Sequence, residues 1–333
     1  MKNLRLNLAC LPYLHMQPLI NGAVVPEGIE LNFIPLEWEE IFWRQLRHEE
    51  FDGSEMSLSS YTMARSRGDD RFVAIPVFPW RIFRHSCVYI NTHKGIEKPT
   101  DIIGKKVGVP EYQMTAGLWI RGFFQHEYGV RPSQINWRAG GMEKPGREEK
   151  LQLQLPPDIK YEPIPKDKTL SQMLDTGELD AVFSGSRMPA CFTKGSPNVK
   201  RLFDNFIEVE KEYYLKTSIF PIMHAIALKR AVYEENPWIA MSLYKACLRS
   251  KNMVLEKLQQ VGAAPLYSMG PWGAWERERT RTIMGEDWWP YGIEKNRVTI
   301  DALCQYSFEQ GLSARRMAAE ELFAPETLDE FKI

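Results

Sequence analysis

The sequence lacks the features that mark membrane-spanning, disulfide-stabilised or zinc-binding proteins. No uninterrupted apolar stretch approaches the ~18 residues that a spanning helix requires. The five cysteines are scattered and include no C-x-x-C pair, which disfavours both a disulfide framework and a zinc site. Polar residues interrupt the first twenty positions and no small-residue cleavage site follows. We therefore expect a cytoplasmic protein that is not inserted in a membrane.

The chain also lacks an excess of charge of either sign. Its 333 residues include 42 Lys and Arg against 43 Asp and Glu, which leaves a formal net charge of -1. A protein that binds nucleic acid through its overall field is strongly basic, so the balance excludes that class and gives no attraction to an anionic membrane. A local cationic pocket remains compatible with this balance.

Motifs of the common catalytic classes are missing as well. The sequence contains no HExxH or HxxxH spacing for a metal, no GxSxG nucleophile elbow, no phosphate-binding Walker loop and no GxGxxG dinucleotide fingerprint. Hydrolase, NTPase and dinucleotide-binding functions thus lose their usual support. We expect no cofactor, although the sequence leaves assistance by a divalent metal ion open.

The pattern of apolar residues is that of an α/β protein. Leu4 to Cys10, Lys106 to Val109 and Leu179 to Phe183 have the composition of buried strands, and a helix is predicted from Thr115 to Gly129. Strands that alternate with helices indicate a sheet with helices packed on its faces. No flexible linker separates two halves, which two lobes interleaved by chain crossovers would explain.

Two polar segments in the first third of the chain are candidates for binding an anion. Ser57, Ser59 and Ser60 lie in a serine-rich segment, where they either donate to an anion or simply cap a helix. Arg81, Arg84 and His85 follow within a few positions, beside aromatic residues. Arginine pairs bidentately with carboxylates, so this segment is either a carboxylate clamp or a solvated basic turn.

Two further polar segments follow predicted strands. Glu111, Tyr112, Gln113 and Thr115 come directly after the strand that ends at Val109, where free backbone N–H groups at a helix start favour an anion. The segment after Phe183 has the sequence SGSR, which supplies Ser184, Ser186 and Arg187. Each segment alone is an ordinary strand-to-helix turn. Four of them in one α/β chain favour an anion-binding cleft.

His224 interrupts the apolar run IFPIMHAIAL. It is therefore either a hydrogen-bonded core histidine or a residue of the cleft, and histidine suits proton transfer because its pKa lies near working pH.

Several long strings are specific enough to compare with known families: VPEGIEL (25–31), EFDGSEMSLSSY (50–61), FVAIPVFPWRIFRHS (72–86), KKVGVPEYQMTA (105–116), GELDAVFSGSR (177–187), IFPIMH (219–224), GEDWWPYGIEKNR (285–297) and EQGLSARR (309–316). On these strings the chain resembles the 4,5-dihydroxyphthalate decarboxylase family almost from end to end.

The resemblance implies a two-lobed fold like that of type II periplasmic binding proteins, with mixed sheets, helices on both faces and two crossover segments. Lobe I would comprise residues 1–95 and 220–333, and lobe II residues 96–219. The crossovers would fall near 91–104 and 213–222, and the ligand would bind in the cleft between the lobes.

The resemblance also implies cofactor-independent decarboxylation of a hydroxylated aromatic acid, with 4,5-dihydroxyphthalate giving protocatechuate and CO2 in aromatic catabolism. We expect His85 or His224 to deliver the proton and Arg81 to act with them as a carboxylate clamp. The residues expected to bind the substrate are Arg84, Arg187, Ser57, Ser59, Ser60, Glu111, Tyr112, Gln113, Thr115, Ser184 and His15.

One departure from the family pattern concerns the first loop. The family carries an Asp-Arg pair after its tyrosine, whereas Tyr13 is followed here by Leu14 and His15. A missing arginine leaves open a substrate with one carboxylate fewer or a different ring substitution. The alternatives are a decarboxylase of a related hydroxybenzoate and a solute-binding protein for a small aromatic anion. Formation of a homo-oligomer is a further possibility.

Overall fold

The computed structural model describes residues 3–185, 187–259 and 272–328, and over these ranges it has two β-sheets covered by helices. We number the strands in chain order: Leu4–Cys10 (β1), Ile29–Pro35 (β2), Gly53–Ser57 (β3), Phe72–Ile75 (β4), Val88–Asn91 (β5), Lys106–Val109 (β6), Asn136–Ala139 (β7), Lys160–Pro163 (β8), Ala181–Phe183 (β9), Val199–Arg201 (β10) and His224–Lys229 (β11).

The first sheet has the strand order β2-β1-β3-β11-β4. Strands β1, β2 and β3 run parallel, whereas β11 runs antiparallel to both β3 and β4. The start of β11 therefore lies beside the end of β3, and His224 is in register with Ser57. Residues at this edge of the sheet come from distant parts of the chain.

The second sheet has the order β10-β5-β9-β6-β7-β8. Strands β9, β6, β7 and the edge strand β8 are parallel, so their carboxyl ends meet at one edge of the sheet. The antiparallel strands β5 and β10 close the other side. Ligands of open α/β sheets bind at such carboxyl ends, where loops converge.

The described α-helices pack around these sheets. Their bounds are Gln17–Ile20, Trp38–His48, Leu58–Ser66, Thr115–Tyr128, Leu170–Asp175, Ala190–Thr193, Phe206–Thr217, Arg230–Glu235, Trp238–Gln259, Gly273–Met284 and Arg297–Glu309. The sequence also predicts a helix that starts at Asn236 and Pro237 and ends at Gly262. Its described part is Trp238–Gln259, and Gly262 lies outside the described residues.

Local sequence accounts for the ends of the helices next to the cleft. Ser57 caps the helix that starts at Leu58, because its hydroxyl accepts a hydrogen bond from the Ser60 N–H at 3.4 Å. The helix Thr115–Tyr128 ends at Gly129, whose φ of 71° is the left-handed conformation that glycine adopts without steric cost. The predicted start and end of this helix are confirmed.

The first crossover lies earlier in the chain than the sequence predicted. Strand β5 belongs to the second sheet, so the chain passes from the first sheet to the second within residues 76–87 and not within 91–104. The lobe boundary expected at residue 95 therefore places β5 on the wrong side. The return passage lies within residues 202–223, which includes the predicted segment 213–222. Short strands such as β5 do not show in the sequence which sheet they join.

The two sheets share one hydrophobic core. A single cluster of buried side chains includes Leu8 and Ile226 of the first sheet together with Val88 and Val107 of the second. Trp119 is fully buried in this cluster, and its indole N–H donates to the carbonyl of Ile222 at 2.9 Å. The helix Thr115–Tyr128 is thereby fixed to the return crossover.

Close packing of two helices predicts that a methyl group at Gly122 destabilises the fold. A Cβ atom there would lie 2.1 Å from the Tyr306 ring, which belongs to the helix Arg297–Glu309. We expect Gly122→Ala to lower the free energy of unfolding by roughly 1–3 kcal/mol, as overpacking does. Denaturant unfolding measures this loss.

The matched control is the double variant Gly122→Ala/Tyr306→Leu, in which the clashing ring is removed. Its loss of unfolding free energy should be smaller than the sum of the losses in Gly122→Ala and Tyr306→Leu. Additive losses, or a Gly122→Ala variant as stable as the parent, would contradict the packing.

Candidate active site

The edges of the two sheets line a half-open cavity of about 50 Å³. Ser57 and His224 reach it from the first sheet, and Thr115 and Gly185 from segments that follow strands of the second. Arg84 in the first crossover completes the polar lining. Four of the segments singled out in the sequence therefore meet at one cavity.

Aromatic rings form the walls of this cavity. Trp38 stacks on Trp80 with the ring centroids 4.3 Å apart and the planes at 8°. The edges of Phe42 and Trp80 approach the His224 ring at 4.9 Å each. An aromatic ligand would find stacking surfaces and a dry environment here, which is how small-molecule sites are commonly built.

A buried carboxylate holds His224. Oε1 of Glu55 lies 2.5 Å from Nδ1 of His224 and 2.5 Å from the hydroxyl of Tyr13. The second carboxylate oxygen accepts the N–H of Leu11 at 3.0 Å. Glu55 and His224 lie on adjacent strands, and neither is exposed. This network fixes the orientation of the imidazole ring and leaves its other nitrogen free of the Glu55 contact.

Burial and the Glu55 carboxylate act in opposite directions on His224. Burial lowers the pKa of His224 below its usual value, and the hydrogen bond and charge of Glu55 partly offset this effect. The pKa stays below that of an ordinary histidine. An anion in the cavity would add to the effect of Glu55 and favour the charged imidazolium.

Arg84 is a buried cation at the cavity. Its guanidinium donates to the carbonyl of Gly185 at 2.7 Å and to the sulfur of Met223 at 2.9 Å, and it lies 5.1 Å from the Trp80 ring centroid. Among the residues that the structure describes, no carboxylate lies within ion-pair distance of it. A buried charge is normally paired, so this guanidinium is suited to receive a ligand anion.

Hydroxyl groups bridge the two sides of the cavity. Ser57 Oγ and Thr115 Oγ1 are 2.9 Å apart, and the Ser59 N–H donates to Thr115 Oγ1 at 3.1 Å. Ser60 Oγ donates to the Gln113 side chain at 3.3 Å. Ser57, Ser60 and Thr115 line the cavity. The helix-capping and ligand-binding interpretations of the serine segment are therefore compatible, because Ser57 caps its helix and lines the site.

Arg147, Lys150 and Glu111 form a charged cluster at the mouth of the cavity. Arg147 Nε and Nη2 donate to Glu111 Oε1 at 2.8 and 2.6 Å, and Lys150 Nζ donates to the same oxygen. Burial lowers the pKa of Arg147, but Glu111 and Glu39 outweigh this effect and leave it above the ordinary value. The cluster separates the inner cavity from an outer one of about 510 Å³.

His85 does not reach the cavity. Its ring stacks on Phe123 at 4.0 Å and lies edge-on to Phe203 and Tyr213, with Glu210 3.9 Å away. Burial lowers its pKa to about 4. This aromatic environment does not support the predicted role in proton delivery.

Arg81 also points elsewhere. Its guanidinium donates to the carbonyls of Phe220 and Pro290 and to the Asn296 side chain, at 2.8, 3.2 and 2.7 Å. Burial lowers its pKa to about 9. It joins the return crossover to the C-terminal part of the chain, so the predicted contact with substrate is not supported. Arg81 and Arg84 therefore belong to one turn but face different parts of the molecule.

The remaining predicted residues divide between the rim and the interior. Arg187 lines the outer cavity only, and the Ser184 hydroxyl donates to the carbonyl of Arg187. Tyr112 is buried away from the cavity, with its hydroxyl 3.3 Å from the carbonyl of Gln310. His15 stacks on Tyr13 with centroids 5.3 Å apart, behind the Glu55 network. Ser186 lies outside the described residues.

Sequence reasoning missed several residues of the site. Trp38 and Phe42 lie on the helix Trp38–His48, whose apolar face suggests ordinary core packing. Arg147 and Lys150 lie in a stretch with the composition of a connector. The available signal was Glu55, a carboxylate inside an otherwise apolar and hydroxyl-bearing strand.

Neither a metal centre nor a membrane span is found in the described part of the chain. No group of three or more His, Cys, Asp or Glu side chains there could hold a metal ion. No described helix is long and apolar enough to cross a bilayer.

Burial of His15 and His85 makes a destabilising contribution in mild acid, separate from the opposite contribution of Glu210, whose pKa burial raises to about 7. Burial lowers the pKa values of His15 and His85 to about 4, whereas in the unfolded chain they are about 6.5. The unfolded state therefore binds more protons below pH 6.5, and each histidine costs about 2 kcal/mol of stability between pH 7 and 5. Denaturant unfolding of the parent and of His85→Gln at both pH values measures this cost.

In His85→Gln the acid-induced loss should be smaller by about that amount. The matched variant His48→Gln, at an exposed position, should lose as much stability as the parent. Equal losses in all three proteins would contradict the assigned burial of His85.

Comparison with solved structures shows the fold. No family model matches the chain. The periplasmic aliphatic sulphonate binding protein SsuA from Escherichia coli superposes with a TM-score of 0.54 at 11% identity, covering 98% of this chain and 99% of that one. A periplasmic sulfonate-binding protein from Methylobacillus flagellatus gives a TM-score of 0.53 at 13% identity, with 98% and 93% covered. The predicted periplasmic-binding-protein fold is confirmed.

Curated relatives show the family. A 4,5-dihydroxyphthalate decarboxylase from Comamonas testosteroni is 40% identical over 333 residues and covers 100% of both chains. A 4,5-dihydroxyphthalate decarboxylase from Pseudomonas putida is 45% identical over 203 residues, which are 61% of this chain and 78% of that protein. With the resemblance thus confirmed over its full length, this chain belongs to the 4,5-dihydroxyphthalate decarboxylase family.

Proposed function

We propose that this protein is a carboxy-lyase that converts 4,5-dihydroxyphthalate into protocatechuate and CO2. The observation that carries the proposal is the convergence of His224, Arg84 and aromatic walls on one cavity. Relatives named as decarboxylases of this substrate support it over solute binding without chemistry. We further propose that the protein works in the cytoplasm, in the catabolism of phthalates, and needs no cofactor.

The reaction replaces one carboxylate by a proton. A ring hydroxyl para to the departing carboxylate pushes electron density into the ring, and the carbon that bears the carboxylate takes up a proton. The carbon–carbon bond then breaks, its electron pair restores the aromatic ring, and CO2 leaves. One proton is consumed for each CO2 released, so the protein must hold the ring and supply that proton.

His224 is the proposed proton donor. Glu55 holds Nδ1 of the imidazole at 2.5 Å, and Tyr13 holds the same carboxylate oxygen. Because burial keeps the pKa of His224 low in the empty site, the ring is mostly neutral before the substrate binds. A dianionic substrate raises that pKa and brings the ring to the charged form that can protonate carbon.

Arg84 is the proposed partner of the carboxylate that stays on the ring. A cation on the departing carboxylate would stabilise the ground state more than the transition state, since the negative charge moves into the ring as CO2 forms. A cation on the retained carboxylate holds the substrate without that cost. Arg84 meets this need because its guanidinium is buried and accepts a new anionic partner.

The size of the cavity requires movement on binding. A cavity of about 150 Å³ holds benzene, whereas this one measures about 50 Å³. The two crossovers at residues 76–87 and 202–223 connect the sheets and are the natural hinges. We therefore propose that the cleft opens to admit the ring and closes on it, which excludes water during the chemistry.

A comparison of two histidines tests the proton donor. We expect the parent to release CO2 and protocatechuate from 4,5-dihydroxyphthalate, and His224→Gln to lose at least about 100-fold in kcat, as loss of a general acid does. His85→Gln is the matched control, because His85 is buried away from the cavity. Its kcat should stay within about threefold of the parent.

Chromatography of the phenolic product and trapped CO2 give the two readouts. A His224→Gln variant with nearly parental kcat would remove this residue from proton delivery. A parent that binds the substrate without releasing CO2 would indicate a solute-binding protein.

A comparison of two arginines tests the anion partner. We expect Arg84→Gln to raise KM about 10- to 100-fold, the value of one charge-assisted hydrogen-bonded contact. Arg81→Gln should lower the melting temperature, because three structural hydrogen bonds are lost, with little change in KM. Steady-state kinetics and thermal unfolding separate the two effects. Equal increases of KM in both variants would contradict the assignment.

A further inference from the structure

Two cations at the mouth of the cavity share one oxygen of a buried carboxylate. Arg147 and Lys150 both donate to Oε1 of Glu111, and the Glu111 side chain is only 2% exposed. Three donors on one oxygen exceed the two lone pairs of that oxygen, so the two cations are not fully satisfied by Glu111. All three side chains also line the inner cavity, so their polar atoms lie within reach of a ligand.

Arg147 also connects the two sides of the cleft. Its Nη1 donates at 2.7 Å to Glu39, a residue of the helix Trp38–His48 that packs on the first sheet. Glu39 is 59% exposed, whereas Arg147 is 22% exposed. An ion pair with such an exposed partner is weak, so Glu39 yields readily to a better-placed anion.

The charged groups that line the cavity carry enough positive charge to bind a second anion. Arg84 contributes one cation without a carboxylate partner among the described residues, and Arg147 with Lys150 contributes two against Glu111. With Glu39 displaced, two net positive charges remain among the groups that line the cavity. A ligand with two carboxylates on neighbouring ring carbons matches this arrangement, and a monocarboxylate leaves one charge unused.

We infer that Arg147 and Lys150 are specificity-determining residues that bind the second carboxylate of an aromatic ortho-dicarboxylate and thereby select diacids over monoacids. The inference deepens the proposed function and rests on it for the nature of the substrate. Glu111 keeps the two cations in place when the site is empty, and the incoming carboxylate shares their donors.

This arrangement also explains how the departing carboxylate can be bound without being trapped. Arg147 and Lys150 already interact with Glu111, so their attraction for a ligand carboxylate is partly offset. The attraction of Arg84 is not offset in this way. The carboxylate at Arg147 and Lys150 is therefore the one held less firmly. The negative charge of Glu111 repels this carboxylate. The repulsion ends when the carboxylate leaves the ring as neutral CO2.

The test measures binding, with ligands that cannot react. Phthalate carries both carboxylates and benzoate only one, and neither has the hydroxyl group that drives decarboxylation. Quenching of tryptophan fluorescence reports binding, because Trp38 and Trp80 line the cavity. We expect the parent to bind phthalate at least about tenfold more tightly than benzoate.

We expect Lys150→Gln and Arg147→Gln to reduce this preference to within about threefold, through a loss of phthalate affinity alone. The matched control is Lys144→Gln on the same segment, which lines only the outer cavity and should keep the preference. Glu111→Gln should bind phthalate more tightly, since a competitor for both cations is removed. Thermal unfolding identifies any variant that fails to fold, for which Arg147→Met and Lys150→Met are the replacements.

An unchanged ratio of phthalate to benzoate affinity in Lys150→Gln and Arg147→Gln would overturn the inference, and so would equal losses for both ligands. Failure of the proposed function is a separate result. A parent that prefers phthalate but releases no CO2 from 4,5-dihydroxyphthalate would contradict the decarboxylase proposal and leave the diacid selection standing.

Discussion

The buried carboxylate of Glu55 is the constraint on which the site depends. It lies inside a fully buried strand, where an unpaired charge would cost several kcal/mol. His224 and Tyr13 satisfy one of its oxygens and the backbone of Leu11 the other. This need for partners fixes the imidazole at the edge of the first sheet, facing the cleft. The same carboxylate offsets the desolvation of His224 and makes its protonation responsive to an anion.

The other groups that line the cavity match the ring and the two charges of a small aromatic dianion. Stacked indoles supply apolar surface for a ring, and a guanidinium without a carboxylate partner in the described chain supplies charge. The charged cluster at Glu111 adds a second positive site from the opposite sheet. The fold shared with periplasmic binding proteins thus provides the two-sheet architecture, and His224 held by Glu55 is the proposed proton donor within it.

The sequence predicted the parts of the site that follow strand ends. Ser57 and Thr115 were candidates from the sequence pattern, whereas His224 was open between core and cleft until the family resemblance favoured the cleft. The apolar pattern predicted the α/β class, and the resemblance implied the two-lobed fold with its cleft. The sequence could not show that Arg81 and His85 face away from Arg84, because side-chain direction within an irregular turn is set by packing. Arg147 and Lys150 were missed, because a stretch that contains Gly and Pro indicates a connecting loop. The absence of an arginine after Tyr13 left the number of substrate carboxylates open, and these two residues offer the missing charge.

The central claim is that a bound anion converts His224 from neutral to charged. Calorimetric titration of phthalate at pH 7, in buffers of different ionisation enthalpy, measures the protons taken up on binding. The account predicts net uptake of a substantial fraction of one proton by the parent and loss of that uptake in His224→Gln. No uptake by the parent, or the same uptake in the variant, would contradict it.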